Sequence, residues 1–133
     1  MVKSQEAFNF YSHLAGMIAS VIGTIFLLNL AIGSASMLVT ALVYGLSITF
    51  LFSASSLYHM FKKKENELSF WRKMDRLAIF FMIAGSYTPI CYFFLDDDWR
   101  LPMIAIQWGL VAFGLFSQLF FPRAPRGIYA IIF

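Results

Sequence analysis

Charge is scarce in this chain. Only 13% of its 133 residues are Asp, Glu, Lys or Arg, about half the share found in an ordinary soluble domain. Cysteine is scarcer: Cys91 stands alone, which excludes an internal disulfide. Histidine occurs twice, at His13 and His59, and a zinc centre usually needs three or four protein ligands. No glycine-rich phosphate loop, paired-carboxylate pattern or nucleophile elbow occurs. No polar stretch is long enough to make a separate soluble domain, so the chain reads as one membrane domain, 1–133.

What the chain has instead is apolar length. Sixty per cent of the residues are hydrophobic, and four uncharged runs fall at about 12–30, 37–61, 77–95 and 101–121. A helix rising about 1.5 Å per residue needs about 20 apolar residues to cross a hydrocarbon core ~30 Å thick. Each run has that length or nearly so. Lipid offers the backbone no hydrogen bonds, so such runs must be helices. The expected fold is all-α, a multi-pass transmembrane helix bundle. Beyond Pro122, Arg123, Ala124, Pro125 and Arg126 the chain turns apolar again, and 127–133 reads as the start of a fifth helix. The whole therefore reads as the N-terminal part of a longer bundle.

The polar segments alternate in sign. Lys3, the loop with Lys62, Lys63, Lys64, Arg72, Lys73 and Arg76, and the segment with Arg123 and Arg126 all fall on one side if the helices alternate in direction. The other side holds Arg100 beside Asp96, Asp97 and Asp98. By the positive-inside rule the basic side, and with it the N-terminus, is cytoplasmic. The lysine run is then ordinary juxtamembrane charge, and no nucleic-acid partner is implied. A cleaved signal peptide is not expected either, because the first apolar run exceeds such a segment and is entered through Glu6, Asn9 and His13.

Small residues recur every fourth position: Ser12, Gly16, Ser20 and Thr24 in the first run, Ala41, Gly45, Thr49 and Ser53 in the second. Such stripes let helix backbones approach closely in lipid, where hydrophobicity cannot drive association. A short connection joins these runs, so the two helices should be antiparallel neighbours. Glu6, Asn9 and His13 project onto the same arc as Gly16 and Ser20 if the first helix reaches back that far. The third run contains Gly85-Ser86-Tyr87-Thr88-Pro89, where proline removes a donor and predicts a kink near Gly85. Trp99 suits an outer interfacial belt, and Trp108 reads as packing.

Ionisable residues near or inside a membrane each ask for a reason. They cluster here as Glu6, Asn9 and His13, then Ser55 and His59, then Asp75, all toward the expected cytoplasmic ends. Ser55 and His59 are four apart and share a helix face. A histidine with a carboxylate can ligate zinc or activate water. The same pattern suits a hydrogen-bonded histidine at the interface, and the residues leave both readings open.

Taken in order, these residues resemble the hemolysin III family, the bacterial branch of the progestin and adipoQ receptor group. Glu6-x-x-Asn9-x-x-Ser12-His13-x-x-Gly16 is similar to the family's first motif, and Ser55-Ser56-Leu57-Tyr58-His59 to its second-helix motif. The stretch from Asp75 to Phe80, continuing through Ile83 to Pro89, is similar to its third-helix signature, and Trp108-Gly109 to a pair in its fourth helix. The resemblance implies a seven-helix bundle with a cytoplasmic N-terminus, here in a bacterial inner membrane. It also implies Zn2+ held by three histidines, with His59 as the second-helix ligand, Asp75 as the acid that orients water and Ser55 as a nearby hydroxyl. Two departures stand out. The family commonly has Asp-His where this chain has Asp75-Arg76, and the other two histidines belong to a seventh helix that this sequence does not contain. The activity implied is a zinc-dependent hydrolase acting on an amide or ester of a membrane lipid. The alternatives are a cytolytic, membrane-perturbing protein and a receptor-like membrane protein with a structural metal.

Overall fold

The computed structural model describes residues 2–63 and 69–120. Four α-helices follow one another: α1 (Val2–Leu30), α2 (Ala35–Phe61), α3 (Phe70–Phe94) and α4 (Asp97–Phe120). Among the described residues there is no strand. All four helices are long and apolar enough to cross a membrane. The expected start of a fifth helix at 127–133 lies outside the described residues, as do Lys64, Arg123 and Arg126.

Two helices begin well ahead of their apolar runs. α1 already starts at Val2 and α3 at Phe70, because an apolar run marks the part of a helix that lies in hydrocarbon and not the end of the helix. Local chemistry sets the ends. The Ser69 hydroxyl accepts from the Arg72 amide at 3.3 Å, an N-cap that lets α3 begin among charged residues. Ser34 caps α2 in the same way through the Met37 amide at 3.4 Å. Between α1 and α2, Gly33 takes φ +99°, a left-handed turn that costs glycine little and other residues more. At the head of α4 the amides of Trp99 and Arg100 close onto the Asp96 carbonyl at 3.0 and 2.9 Å. Asp97 and Asp98 occupy the first turn, where negative charge complements the helix dipole.

Among the described residues the helices form a row in which each touches only its neighbours in the chain. Successive helices are antiparallel. Gly16 lies against Phe52, Ser20 against Thr49 and Thr24 against Gly45, so the α1 numbers rise as the α2 numbers fall. Phe61 with Trp71, Phe50 with Phe81 and Ser47 with Gly85 show the same for α2 and α3. Thr88 with Trp108 and Phe80 with Gly114 show it for α3 and α4.

The two small-residue stripes therefore interdigitate, as their spacing implies. A Cβ at Gly16 would stand 2.7 Å from the Phe52 ring, and one at Gly45 would run into the Thr24 side chain. Ser20 donates to the Met17 carbonyl at 2.7 Å, so the 3.1 Å contact with Thr49 has the Thr49 hydroxyl as donor. Gly85 serves α2 in a similar way: a Cβ there would meet the Ser47 side chain and lie 3.3 Å from the Val43 carbonyl. α3 runs through Pro89 as one helix. The hydroxyls of Ser86 and Thr88 donate to the carbonyls of Ile83 and Ala84, at 3.0 and 2.7 Å. Neither goes to Gly85, whose carbonyl would have received an amide from position 89. Thr88 accepts in turn from the Trp108 indole at 3.1 Å, a cross-helix bond that fixes α4 on α3.

Burial follows the pattern of lipid and not of water. The buried set is rich in small residues, among them Ala31, Ala54, Ala78, Ala84, Cys91, Ser20, Ser47, Ser56 and Thr40. Large apolar side chains such as Ile18, Ile22, Phe26, Phe113 and Phe116 face outward. In water such a surface would be an aggregation hazard. In a bilayer it is the surface that meets solvent, and close packing of small residues holds the interior.

Candidate functional site

The start of α1, the end of α2 and the start of α3 converge at one end of the row. Stacked Phe61 and Trp71, 5.3 Å apart at 15°, tie the last turn of α2 to the first turn of α3. His59 sits in that last turn of α2. Its Nδ1 lies 2.7 Å from Glu6 Oε2, and the other carboxylate oxygen of Glu6 accepts from Lys62 Nζ at 2.6 Å. α1 reaches His59 a second time through His13, whose ring stacks on it at 5.5 Å and 13°. His13 in turn lies 6.0 Å from the Phe52 ring. Lys62 ends α2 in extended backbone and stands 5.8 Å over the Tyr58 ring.

This cluster is partly withdrawn from solvent. The side chains of His59, Lys62 and Glu6 are 15%, 17% and 20% exposed, enough burial for their mutual contacts to outweigh water as partner. An ionised carboxylate only accepts hydrogen bonds. A hydrogen bond from His59 to an ionised Glu6 therefore requires the proton on Nδ1, and the tautomer of the ring sets the donor and acceptor roles. The second imidazole nitrogen, Nε2, is left to other partners.

The three residues singled out in the sequence are placed unequally. Ser55 is buried one turn before His59 on α2, and Asp75 is half-buried in the second turn of α3. Among the described residues no hydrogen bond or ion pair joins Asp75 to His59 or to Ser55. The donor set suits one metal bond at His59, because a ligating histidine ordinarily gives its other ring N–H to a carboxylate or carbonyl. It does not make a complete centre. Among the described residues no three His, Cys, Asp or Glu stand together as a metal would require.

Glu6 and His13 share one helix face in the sequence, but no sequence pattern joins them to His59, and Lys62 reads there as topology charge alone. One signal was available. A carboxylate at the start of a membrane helix needs a cation, and the antiparallel neighbour ends in His59 and Lys62.

The far end of the row is different in kind. Half-buried Arg100 pairs with exposed Asp97 at 2.9 Å and lies 5.1 Å over the Tyr92 ring. An apolar cavity of about 540 Å³ opens nearby between α1, α2 and α3, with Leu27, Tyr44, Ser86 and Phe93 in its wall.

Fold and surface together define an integral membrane protein of the helical multi-pass class. The haemolysin-III related family matches residues 1–133, and the chain belongs to that family. It is 34% identical to "Hemolysin-3" of Bacillus cereus over 121 residues, which cover 90% of this chain and 55% of that protein. It is 29% identical to "Hemolysin-3 homolog" of Bacillus subtilis (strain 168) over 121 residues, 90% of this chain and 56% of the relative. The human "Monocyte to macrophage differentiation factor" is 29% identical over 89 residues, 64% of this chain and 37% of that protein. The chain thus spans about half the length of the bacterial relatives it matches. No solved structure matches it.

Proposed function

We propose that this chain carries part of the site of a zinc-dependent membrane hydrolase that cleaves an amide or ester of a membrane lipid, with His59 as one zinc ligand. The observation that carries the reading is the 2.7 Å contact between His59 Nδ1 and the Glu6 carboxylate, the usual outer support of a zinc histidine. In a protein of the relatives' length, the other ligands would come from helices beyond this chain. When bound, zinc would supply the Lewis acid that makes water nucleophilic near neutral pH.

The remaining roles fall to this chain's own residues. Asp75, on the helix that begins beside the end of α2, would orient the attacking water and take its proton. Water oxygen would join the carbonyl carbon, the C–N or C–O bond would break, and the proton would pass to the departing amine or alcohol. Ser55 would supply a hydroxyl one turn below His59. The basic loop between α2 and α3 supports a cytoplasmic position for this end and for the N-terminus, and a bacterial inner membrane as the location.

The relatives' printed name favours a second reading, cytolysis. Against it, the helices are apolar nearly all round and carry the charge pattern of a resident membrane protein. The hydrolase reading is tested by incubating the native protein with a panel of lipid amides and esters. Fatty-acid release that disappears in His59→Ala and in Asp75→Asn is the expected result. Zinc-loaded protein that releases no fatty acid from any of them would exclude it.

A further inference from the structure

We propose that Glu6 is the positioning residue of the His59 site: its carboxylate, anchored by Lys62, holds His59 in the Nδ1–H tautomer and so leaves Nε2 as the nitrogen that meets the metal. The inference rests on the reading of His59 as a zinc ligand. It adds a residue from α1, which begins the chain, to a site otherwise drawn from α2 and α3.

Three observations converge on this role. The first is geometric: Glu6 spends one oxygen on each partner, 2.7 Å to His59 Nδ1 and 2.6 Å to Lys62 Nζ. The lysine bond holds Oε1 and so leaves Oε2 facing the imidazole. An acceptor of that kind selects the imidazole that carries its proton on Nδ1. The second is steric. His13 stacks on the face of the His59 ring at 5.5 Å, and Tyr58 lies 5.2 Å away, tilted. Turning the ring over would put Cδ2 where Nδ1 meets Glu6 and lose that 2.7 Å contact, while the His13 stack holds the plane of the ring. The third is placement. Glu6 lies near the start of α1, at the entry to a helix long and apolar enough to cross a membrane, and an ionisable residue there asks for a reason. An ion pair that only tied α1 to α2 would need Lys62 alone; the second oxygen on His59 is what that simpler role leaves unexplained.

The chain's two histidines make the test direct. The full chain, labelled with 15N-histidine and held in lipid nanodiscs at about pH 8.5, above the ordinary histidine range, reports by NMR which ring nitrogen of each imidazole is protonated. His13→Asn assigns the signals. Wild-type His59 is expected to be protonated on Nδ1 and bare on Nε2. In the near-isosteric Glu6→Gln, Lys62 claims the single amide oxygen and the NH2 group turns to the imidazole. The His59 proton should then move to Nε2, with the His13 signal as the control for folding. Lys62→Met keeps the carboxylate on His59 and should keep Nδ1–H. Wild-type His59 protonated on Nε2 would overturn the inference without any variant. So would a His59 spectrum that Glu6→Gln leaves unchanged.

Zinc added to the 15N-histidine-labelled protein isolated whole from its own membrane, with His59→Ala marking the His59 signals, separates this inference from the reading beneath it. A coordination shift at Nε2, with affinity about 10–100-fold weaker in Glu6→Gln, supports both. A shift at Nδ1 keeps the zinc and overturns the role of Glu6. No shift at either His59 nitrogen overturns the zinc reading, and the tautomer measurement alone then decides Glu6.

Discussion

Single contacts decide how tightly neighbouring helices hold. The Trp108 indole bonded to Thr88 at 3.1 Å is a cross-helix hydrogen bond between partly and fully buried groups. A double-mutant cycle of Trp108→Phe and Thr88→Val, read by reversible unfolding in mixed micelles, should give a coupling of about 0.6–1.7 kcal/mol, the range such bonds reach in membrane helices. Glycines divide by what surrounds them. Gly45 faces the Thr24 side chain, whereas a Cβ at Gly23 would meet nothing within 4 Å. Gly45→Ala should lower stability by about 1–3 kcal/mol through overpacking. Gly23→Ala should be neutral or stabilising by up to about 1 kcal/mol, because alanine is the better helix former. Equal losses at both positions would show that the α1–α2 stripe is not the contact surface.

At the scale of elements, the four spans and their succession were legible because lipid leaves a backbone few options. The α1–α2 interface was legible too, since Gly16, Ser20 and Thr24 recur at a spacing that serves only close helix contact. The helix starts were not. Val2–Gln5 and Phe70–Arg76 are polar enough to read as loops: the Ser69 cap is local but lies outside the apolar pattern, and the Glu6 contacts reach 53 and 56 positions along the chain. The candidate site was half legible for the same reason. Ser55 and His59 lie on one helix at a telling interval, while Glu6 joins His59 across 53 positions of chain. Such a contact is set by the crossing of two helices and leaves no periodic trace. Thr88 carries two roles that a motif conflates: its hydroxyl turns back to Ala84 and its lone pair faces Trp108. Replacing Thr88 by serine should keep both bonds and change stability by less than about 0.5 kcal/mol, within the spread of neutral substitutions.

Across the whole molecule, charge asymmetry sets direction. Lys63 follows α2 on the basic side, and Asp97 opens α4 on the acidic side. The native Cys91 is buried and should label poorly, which leaves a low background for introduced thiols. In intact spheroplasts a membrane-impermeant maleimide should label Asp97→Cys, and should label Lys63→Cys only after permeabilisation. The reverse pattern would invert the bundle and place the His59 end outside the cell. Among the described residues α1 touches only α2 and α4 only α3, a row that leaves broad faces of the bundle available to lipid or to other helices. A metal centre that draws one ligand from α2 and the rest from elsewhere fits such an open frame.

Zinc binding by His59 is tested first by the metal content of the native protein isolated from its own membrane, beside His59→Ala. Stoichiometric zinc is expected in the wild type, and its loss in the variant while the helical spectrum is unchanged. Zinc retained in His59→Ala, or absent from a folded wild type, would contradict binding by His59.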